Sequence, residues 1–271
     1  MKHLVSFLSA FGFCALHTFS VRAADTAAPN LTARDLAAGL SAIWQDGNSY
    51  VRVRLEIKDS SGSSKTTLQL QIRSRRTESA TDVVYQVLWP KERKGEAVLW
   101  RKKTGGEASG SLFVPPDKMR SLDASQLKQS LFGSDLSYED ILENFFAWER
   151  QAIIGTDVVD GVSCQILESK PGKGTRSSYA SVRTWIDPRR MVALRVEKFA
   201  TPNALARGIE TTRVITDDAR HQIPANLTVR RPGSDSFTEL DGSRIKHGVT
   251  YTDLDFTPAS LKEVTTPRSA P

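Results

Sequence analysis

The stretch Tyr50-Val51-Arg52-Val53-Arg54-Leu55-Glu56-Ile57-Lys58 alternates without a break. Successive side chains of an extended chain point to opposite faces, so Val51, Val53, Leu55 and Ile57 share one face. Arg52, Arg54, Glu56 and Lys58 share the other. This is the pattern of a half-buried strand. It repeats at once. Ser60-Ser61-Gly62-Ser63-Ser64 reads as a hairpin loop, after which Leu68, Leu70 and Ile72 alternate with Gln69, Gln71 and Arg73. A third strand is expected over 83–89. Pro90-Lys91-Glu92-Arg93-Lys94-Gly95 then turns the chain into a fourth over 96–101. Four strands joined by short turns predict an antiparallel meander.

Upstream, the period changes to that of a helix. Residues 32–47 place Leu36, Leu40, Ile43 and Trp44 on one face, Thr32 and Asp35 form a capping pair at the start, and Asp46-Gly47-Asn48 ends the helix. Downstream, residues 104–145 break the alternation. Gly105-Gly106 is a turn, 111–114 a short strand stopped by Pro115-Pro116, and Leu122, Leu127, Leu131 and Phe132 recur at helical spacing. Ser137 with Asp140 is a capping-box pattern for a second helix, whose apolar face is Ile141, Leu142, Phe145 and Phe146. From Trp148 onward strands are expected near 148–155, 161–169, 178–187, 191–199, 208–217, 223–231 and 248–256. The turns between them are marked by Asp160-Gly161, Pro171-Gly172, Asp187-Pro188, Pro232-Gly233 and Asp241-Gly242. Pro258-Ala259-Ser260-Leu261 begins one last helical turn.

A single sheet of so many strands must curl or close. The predicted fold is mainly β, of the α+β kind: a curled antiparallel sheet forming an incomplete barrel, with helices plugging its concave side. The expected domain plan is a signal peptide over 1–23, one domain over 24–264 with a helical lid insertion at about 117–146, and a disordered tail over 265–271. Lys2 and His3 precede an apolar run from Leu4 to Phe19 that is too short for a confident membrane span, and Val21-Arg22-Ala23 offers a cleavage site. Export to the periplasm follows as an expectation.

Composition narrows the function classes. Hydrophobic residues make up 39% and charged residues 25%, which excludes collagen-like and disordered chains. Losing residues 1–23 takes Lys2 and Arg22 from 37 basic residues and nothing from 31 acidic ones, so the formal charge falls from +6 to +4. The basic residues are scattered, without the dense stripe and interleaved aromatics of a nucleic-acid interface. Past residue 23 the only cysteine is Cys164, read as a small buried hydrophobe. The histidines there are His221 and His247, neither at a metal-ligand spacing. No nucleophile elbow, phosphate loop or dinucleotide fingerprint occurs. The expectation is therefore no catalytic residues, no metal and no cofactor.

What the sequence offers instead is apolar surplus. Leu127, Leu131, Phe132, Leu136, Phe145 and Phe146 crowd the insertion. As a segment they read as a lid over a hydrophobic cavity between sheet and helices, with Leu70, Leu88, Trp100 and Trp185 facing it from the strands.

At Gly133-Ser134-Asp135-Leu136-Ser137-Tyr138-Glu139-Asp140-Ile141, after the lead-in Met119-Arg120-Ser121-Leu122, the chain resembles the outer-membrane lipoprotein-sorting protein family, relatives of the periplasmic lipoprotein carrier LolA. Asp160-Gly161-Val162-Ser163-Cys164, Trp185-Ile186-Asp187, Ile223-Pro224 and the closing Phe256-Thr257-Pro258-Ala259-Ser260-Leu261 are similar to the family as well. The resemblance covers about residues 40–263. It implies a half-open barrel that binds acyl chains, with lipid or lipid-modified protein as cargo and an inner-membrane RND-type exporter or outer-membrane acceptor as partner. It brings no catalytic residues. Gly133, Ser137, Tyr138 and Asp140 form its structural signature: a left-handed turn, a cap, a packing residue and the partner of the cap. A monomeric carrier is expected, the alternative being a non-catalytic accessory subunit of an envelope transporter.

Overall fold

The structure is a computed structural model that describes residues 31–44, 47–104 and 106–266, with the side chains of Ser243 and Arg244 left aside. The expected signal peptide over 1–23 lies outside the described residues.

Among the described residues, thirteen strands form one antiparallel sheet. The first meander comprises β1 (Ser49–Asp59), β2 (Ser64–Arg76), β3 (Ala80–Trp89), β4 (Ala97–Lys103), β5 (Ala108–Val114) and β6 (Lys118–Asp123). The second comprises β7 (Arg150–Val159), β8 (Val162–Lys170), β9 (Ser181–Asp187), β10 (Val192–Thr201), β11 (Ala204–Thr216), β12 (Gln222–Arg230) and β13 (Ser236–His247). The spatial order is β6-β5-β4-β3-β2-β1-β13-β12-β11-β10-β9-β8-β7. The two meanders meet where β1 pairs with β13, and β6 and β7 are the two open edges. The sheet is an open, curled half-barrel.

This topology dictates where the insertion must go. Residues 124–149 connect one edge strand to the other, so they cross the sheet from side to side. Thirteen strands at about 4.8 Å spacing make an arc of roughly 58 Å, within the ~90 Å that such a connector can reach. The connector crosses the concave face as a 3-10 turn over Ala124–Lys128, helix α2 (Tyr138–Leu142) and a 3-10 turn over Phe145–Ala147. Helix α1 (Ala33–Trp44) lies on the same face near β7 and β8, with Leu36 and Leu40 packed on Leu167 and Ile186.

The other face of β2–β4 is covered too. Val84, Leu99 and Phe113 meet Phe256 and Leu261 of the C-terminal segment. Gln86 Nε2 donates to the Leu261 and Glu263 carbonyl oxygens at 3.1 Å, and Gln71 Nε2 donates to the Thr265 carbonyl oxygen at 3.1 Å.

Several expectations need correction. Residues 118–123, expected inside the helical lid, form the edge strand β6, and Leu122 is one of its inward residues. Edge-strand pairing with β5 over Ser109–Asp123 wins over a short run at helical spacing. α2 spans only five residues, so the lid is mostly irregular chain. The last strand is Ser236–His247 rather than 248–256, and Asp241-Gly242 sits inside it, opposite Arg54 and Val53. There β1 and β13 slip register, and Gly242 tolerates the close Ala225 carbonyl oxygen, 2.8 Å from where a Cβ would stand. Thr265, expected in a disordered tail, is tied to the convex face through Gln71 and Arg73. Residues 267–271 lie outside the described residues.

Candidate ligand-binding face

The concave face is apolar where the insertion crosses it. Val83, Val98, Trp100, Leu122 and Val229 project from four different strands and meet Leu131, Leu136, Tyr138, Ile141 and Leu142 of the insertion. The rings of Trp100 and Tyr138 lie 5.3 Å apart. Trp100 has room because its neighbour across the ladder is Gly110, where a side chain would collide with the Trp100 ring.

A tight reversal starts the plug. Leu131 N–H donates to the Leu136 carbonyl at 2.8 Å, with Phe132 at φ 52° and Gly133 at φ 86° between them. Positive φ at two consecutive residues explains the glycine. Ser137 then caps α2. Its hydroxyl donates to Asp140 Oδ2 at 2.7 Å and accepts the Asp140 N–H at 3.3 Å. Because α2 lies wholly in the interior, both its acids must find partners there, and they come from the second meander.

Asp140 is that junction. Lys198 Nζ of β10 lies 2.8 Å from Oδ1, Arg207 Nε of β11 lies 3.0 Å from Oδ2, and the Tyr179 hydroxyl donates to Oδ1 at 2.7 Å. Burial works to raise the Asp140 carboxyl, but Lys198 and Arg207 outweigh it and hold the pKa at about 2. Burial, reinforced by the Asp140 charge, raises the Tyr179 phenol. Glu139 accepts from the Ser177 hydroxyl at 2.6 Å and the Ser178 N–H at 2.9 Å. Asp135 is fixed by Arg231 Nε at 2.8 Å and the Thr238 hydroxyl at 2.8 Å. All three acids of the signature stretch are buried and paired, so the stretch is an ionic latch that pins the apolar plug to the second half of the sheet.

Among the sequence-predicted residues, Leu127, Leu131, Phe132 and Trp100 come together in one cluster. Leu70 belongs to an adjoining cluster that shares Phe132. Phe145 packs with Trp148, Tyr179 and Val182, while Phe146 packs against α1; their two rings are 4.4 Å apart. Two residues do not face the plug. Leu88 is the unpaired residue of the β2–β3 bulge, between Val87 opposite Leu70 and Trp89 opposite Gln69, and does not belong to the clusters that pack on the plug. Trp185 lies on the face opposite Ile186 and packs with Val159, Cys164 and Leu194; its indole N–H donates to Asp157 Oδ2 at 2.9 Å. Strands apolar on both sides give no sign of which side is concave. Sequence reasoning missed Tyr179, Lys198, Arg207 and Arg231, because a buried charge and a solvated one look alike until the pairing is known.

A cleft of about 760 Å³ opens beside the plug, between the β2–β3 and β4–β5 hairpin tips and the insertion, with Leu127, Leu142 and Trp148 in its wall and Arg76, Lys102 and Arg176 among its charged groups. Lys102 pairs with Glu143, which also accepts the Trp148 indole N–H at 2.8 Å. Arg76 stacks over the Trp44 ring at 4.7 Å, and burial lowers its pKa. The arrangement offers apolar surface beside a charged rim, a geometry suited to an amphiphile. Among the described residues no helix is long and apolar enough to cross a membrane.

A family model described as "Uncharacterized protein" matches residues 79–263. No curated protein matches the chain. Among solved structures, a DUF1329 family protein from Desulfovibrio piger superposes with a TM-score of 0.77 at 23% identity, covering 84% of this chain and 97% of the other. An outer membrane lipoprotein-sorting protein domain from Vibrio parahaemolyticus gives 0.75 at 19% identity, with 85% and 98% covered. A LolA superfamily protein from Nitrosomonas europaea gives 0.67 at 18% identity, with 84% and 98% covered. At these identities the likeness is one of fold. The chain belongs to the family whose model spans residues 79–263, and its fold is the one seen in the lipoprotein-sorting domain and the LolA superfamily protein.

Proposed function

We propose that this protein is a periplasmic carrier that takes the acyl chains of a lipid, or of a lipid-modified protein, onto its concave face and delivers them towards the outer membrane. One observation carries the reading: the apolar concavity of an open sheet is filled by a mostly irregular segment of the chain's own. Such a plug can move aside without dismantling the sheet, and the strand residues beneath it then offer an apolar floor. Each acyl methylene buried there contributes ~0.8 kcal/mol, so ten contribute about 8 kcal/mol, enough to compete with a short plug. The leader-like first 23 residues and the lipoprotein-sorting fold support the same place of action. The carrier role asks for no catalytic group.

Fluorescent fatty-acid binding to Phe145→Asp and Phe146→Asp tests the reading. Both residues are half-buried at the end of the plug, so a charge there should leave the sheet folded by circular dichroism and weaken binding at least about tenfold. Unchanged binding in both variants contradicts it. The buried latch favours a second reading, because a plug fixed by paired charges suits a non-catalytic accessory subunit of an RND-type envelope transporter. That reading predicts no bound lipid and a membrane-protein partner.

A further inference from the structure

The two histidines that the sequence keeps apart come together at one end of the sheet. The β11–β12 connection folds back on itself, with Asp217 N–H donating to the His221 carbonyl at 3.0 Å and Arg220 at φ 66°. This brings Asp217, Asp218 and His221 beside His247, the last residue of β13. His247 Nε2 lies 3.1 Å from Asp217 Oδ2 and 3.7 Å from Asp218 Oδ1, and His221 Nδ1 lies 3.6 Å from the same Asp217 Oδ2.

We propose that Asp217, Asp218 and His247 form a binding site for a first-row divalent cation of the zinc class, with His221 beside Asp217. The separations carry the assignment. Tetrahedral ligands at 2.0–2.1 Å from zinc stand about 3.3–3.4 Å from one another. The ligand atoms of Asp217, Asp218 and His247 all lie within 4.8 Å of each other, and the separations of His247 from the two carboxylates, 3.1 and 3.7 Å, bracket the ideal edge. The two carboxylates are also oriented for the task. Asp217 uses Oδ1 to accept the His221 N–H at 2.7 Å, and Asp218 uses Oδ2 to accept the His247 N–H at 3.0 Å. Each therefore keeps one oxygen on the protein and turns the other towards the same point, as supporting hydrogen bonds do in built metal sites.

The donor set names the class of ion. Imidazole nitrogens with carboxylate oxygens suit zinc and its first-row neighbours, whereas calcium asks for six to eight oxygens. The Asp217 side chain is fully buried and Asp218 is half exposed, so a cation would have a protein-held inner ligand and a solvent-side path of arrival. Binding needs the lone pair of His247 Nε2, so a proton on that nitrogen leaves to solvent as the ion arrives. A bound ion would clasp the β11–β12 turn to the end of β13, where β1 begins opposite it. The site is remote from the latch and independent of the cargo.

The test uses the full chain, exported and purified without a histidine tag, dialysed against micromolar zinc and then metal-free buffer, with retained metal read by elemental mass spectrometry. Cobalt substitution reports geometry through visible absorption. The expected result is one zinc per chain and the intense cobalt bands of a tetrahedral site. Asp218→Asn and His247→Gln should each weaken binding at least about 100-fold, given that even supporting residues of such sites are worth 10–100-fold. Asp218 is exposed, so its variant keeps the fold. Failure of the parent protein to retain zinc, or retention unchanged in either variant, overturns the proposal and leaves the cluster as histidine–aspartate ion pairs.

Discussion

Lys198 Nζ and Asp140 Oδ1 meet 2.8 Å apart with both side chains withdrawn from solvent, one from β10 and the other from the plug. The pair ties the irregular segment to the sheet. Removing one member of a buried pair strands the other, which costs about 3–5 kcal/mol. Asp140→Asn and Lys198→Met should therefore each lower the urea-unfolding free energy by about that much. The Asp140→Asn/Lys198→Met double variant should lose less than the sum of the two, because Lys198 is no longer left without its carboxylate, while Arg207 still loses its partner. Additive losses would show that the two residues do not interact.

The same latch gives the protein an acid-sensitive joint. The Asp140 carboxyl sits at about 2 in the folded chain against an ordinary value of 3.8. A folded pKa below the unfolded one means stabilisation that is complete above about pH 4 and is lost as pH falls towards 2. Its size is on the order of 2–3 kcal/mol. Melting temperatures measured from pH 5 to pH 2 should fall more steeply for the parent protein than for Asp140→Asn. Parallel curves would remove Asp140 from the account.

Gly110 makes room for Trp100. A Cβ at position 110 would run into the Leu99 carbonyl oxygen and stand 3.0 Å from the Trp100 ring. Since Leu99 O is backbone, the strands must shift. Gly110→Ala should cost about 1–3 kcal/mol, as overpacking does, and should alter the near-ultraviolet circular dichroism of the buried indole. Equal stability with an unchanged spectrum would mean that the ladder yields more freely than its geometry implies.

The sheet was legible wherever one face was wet. β1 alternates cleanly because charged side chains hold its solvent face, β2 alternates because Gln69, Gln71 and Arg73 stay polar even though Gln71 and Arg73 are buried beneath the C-terminal segment, and α1 was legible from Thr32, Asp35 and its apolar face. Legibility failed where both faces are covered or an edge strand is short. Along β3, Val83 meets the plug and Val84 meets Phe256, so alternation carries no direction. That is why the sequence places Trp185 on a face it does not occupy. β6 was lost because Leu122 is its only buried residue. In the signature stretch, Ser137 and Asp140 announced their cap by spacing. The partners of Asp140 lie 39, 58 and 67 residues further on, at Tyr179, Lys198 and Arg207, and no local pattern links them. The gathering of His221 and His247 around Asp217 is likewise a product of topology, since β11, β12 and β13 must pair before the residues meet.

A carrier whose concave face exchanges its plug for acyl chains should leave the cell with cargo aboard. Native mass spectrometry of the protein, isolated without detergent from a periplasmic extract, tests this most directly. The expected result is adducts with the masses of a phospholipid, another envelope lipid or an acylated peptide, displaced by added fluorescent fatty acid. A single apo mass that also refuses the fatty acid would contradict it and leave the plug as a permanent part of the core.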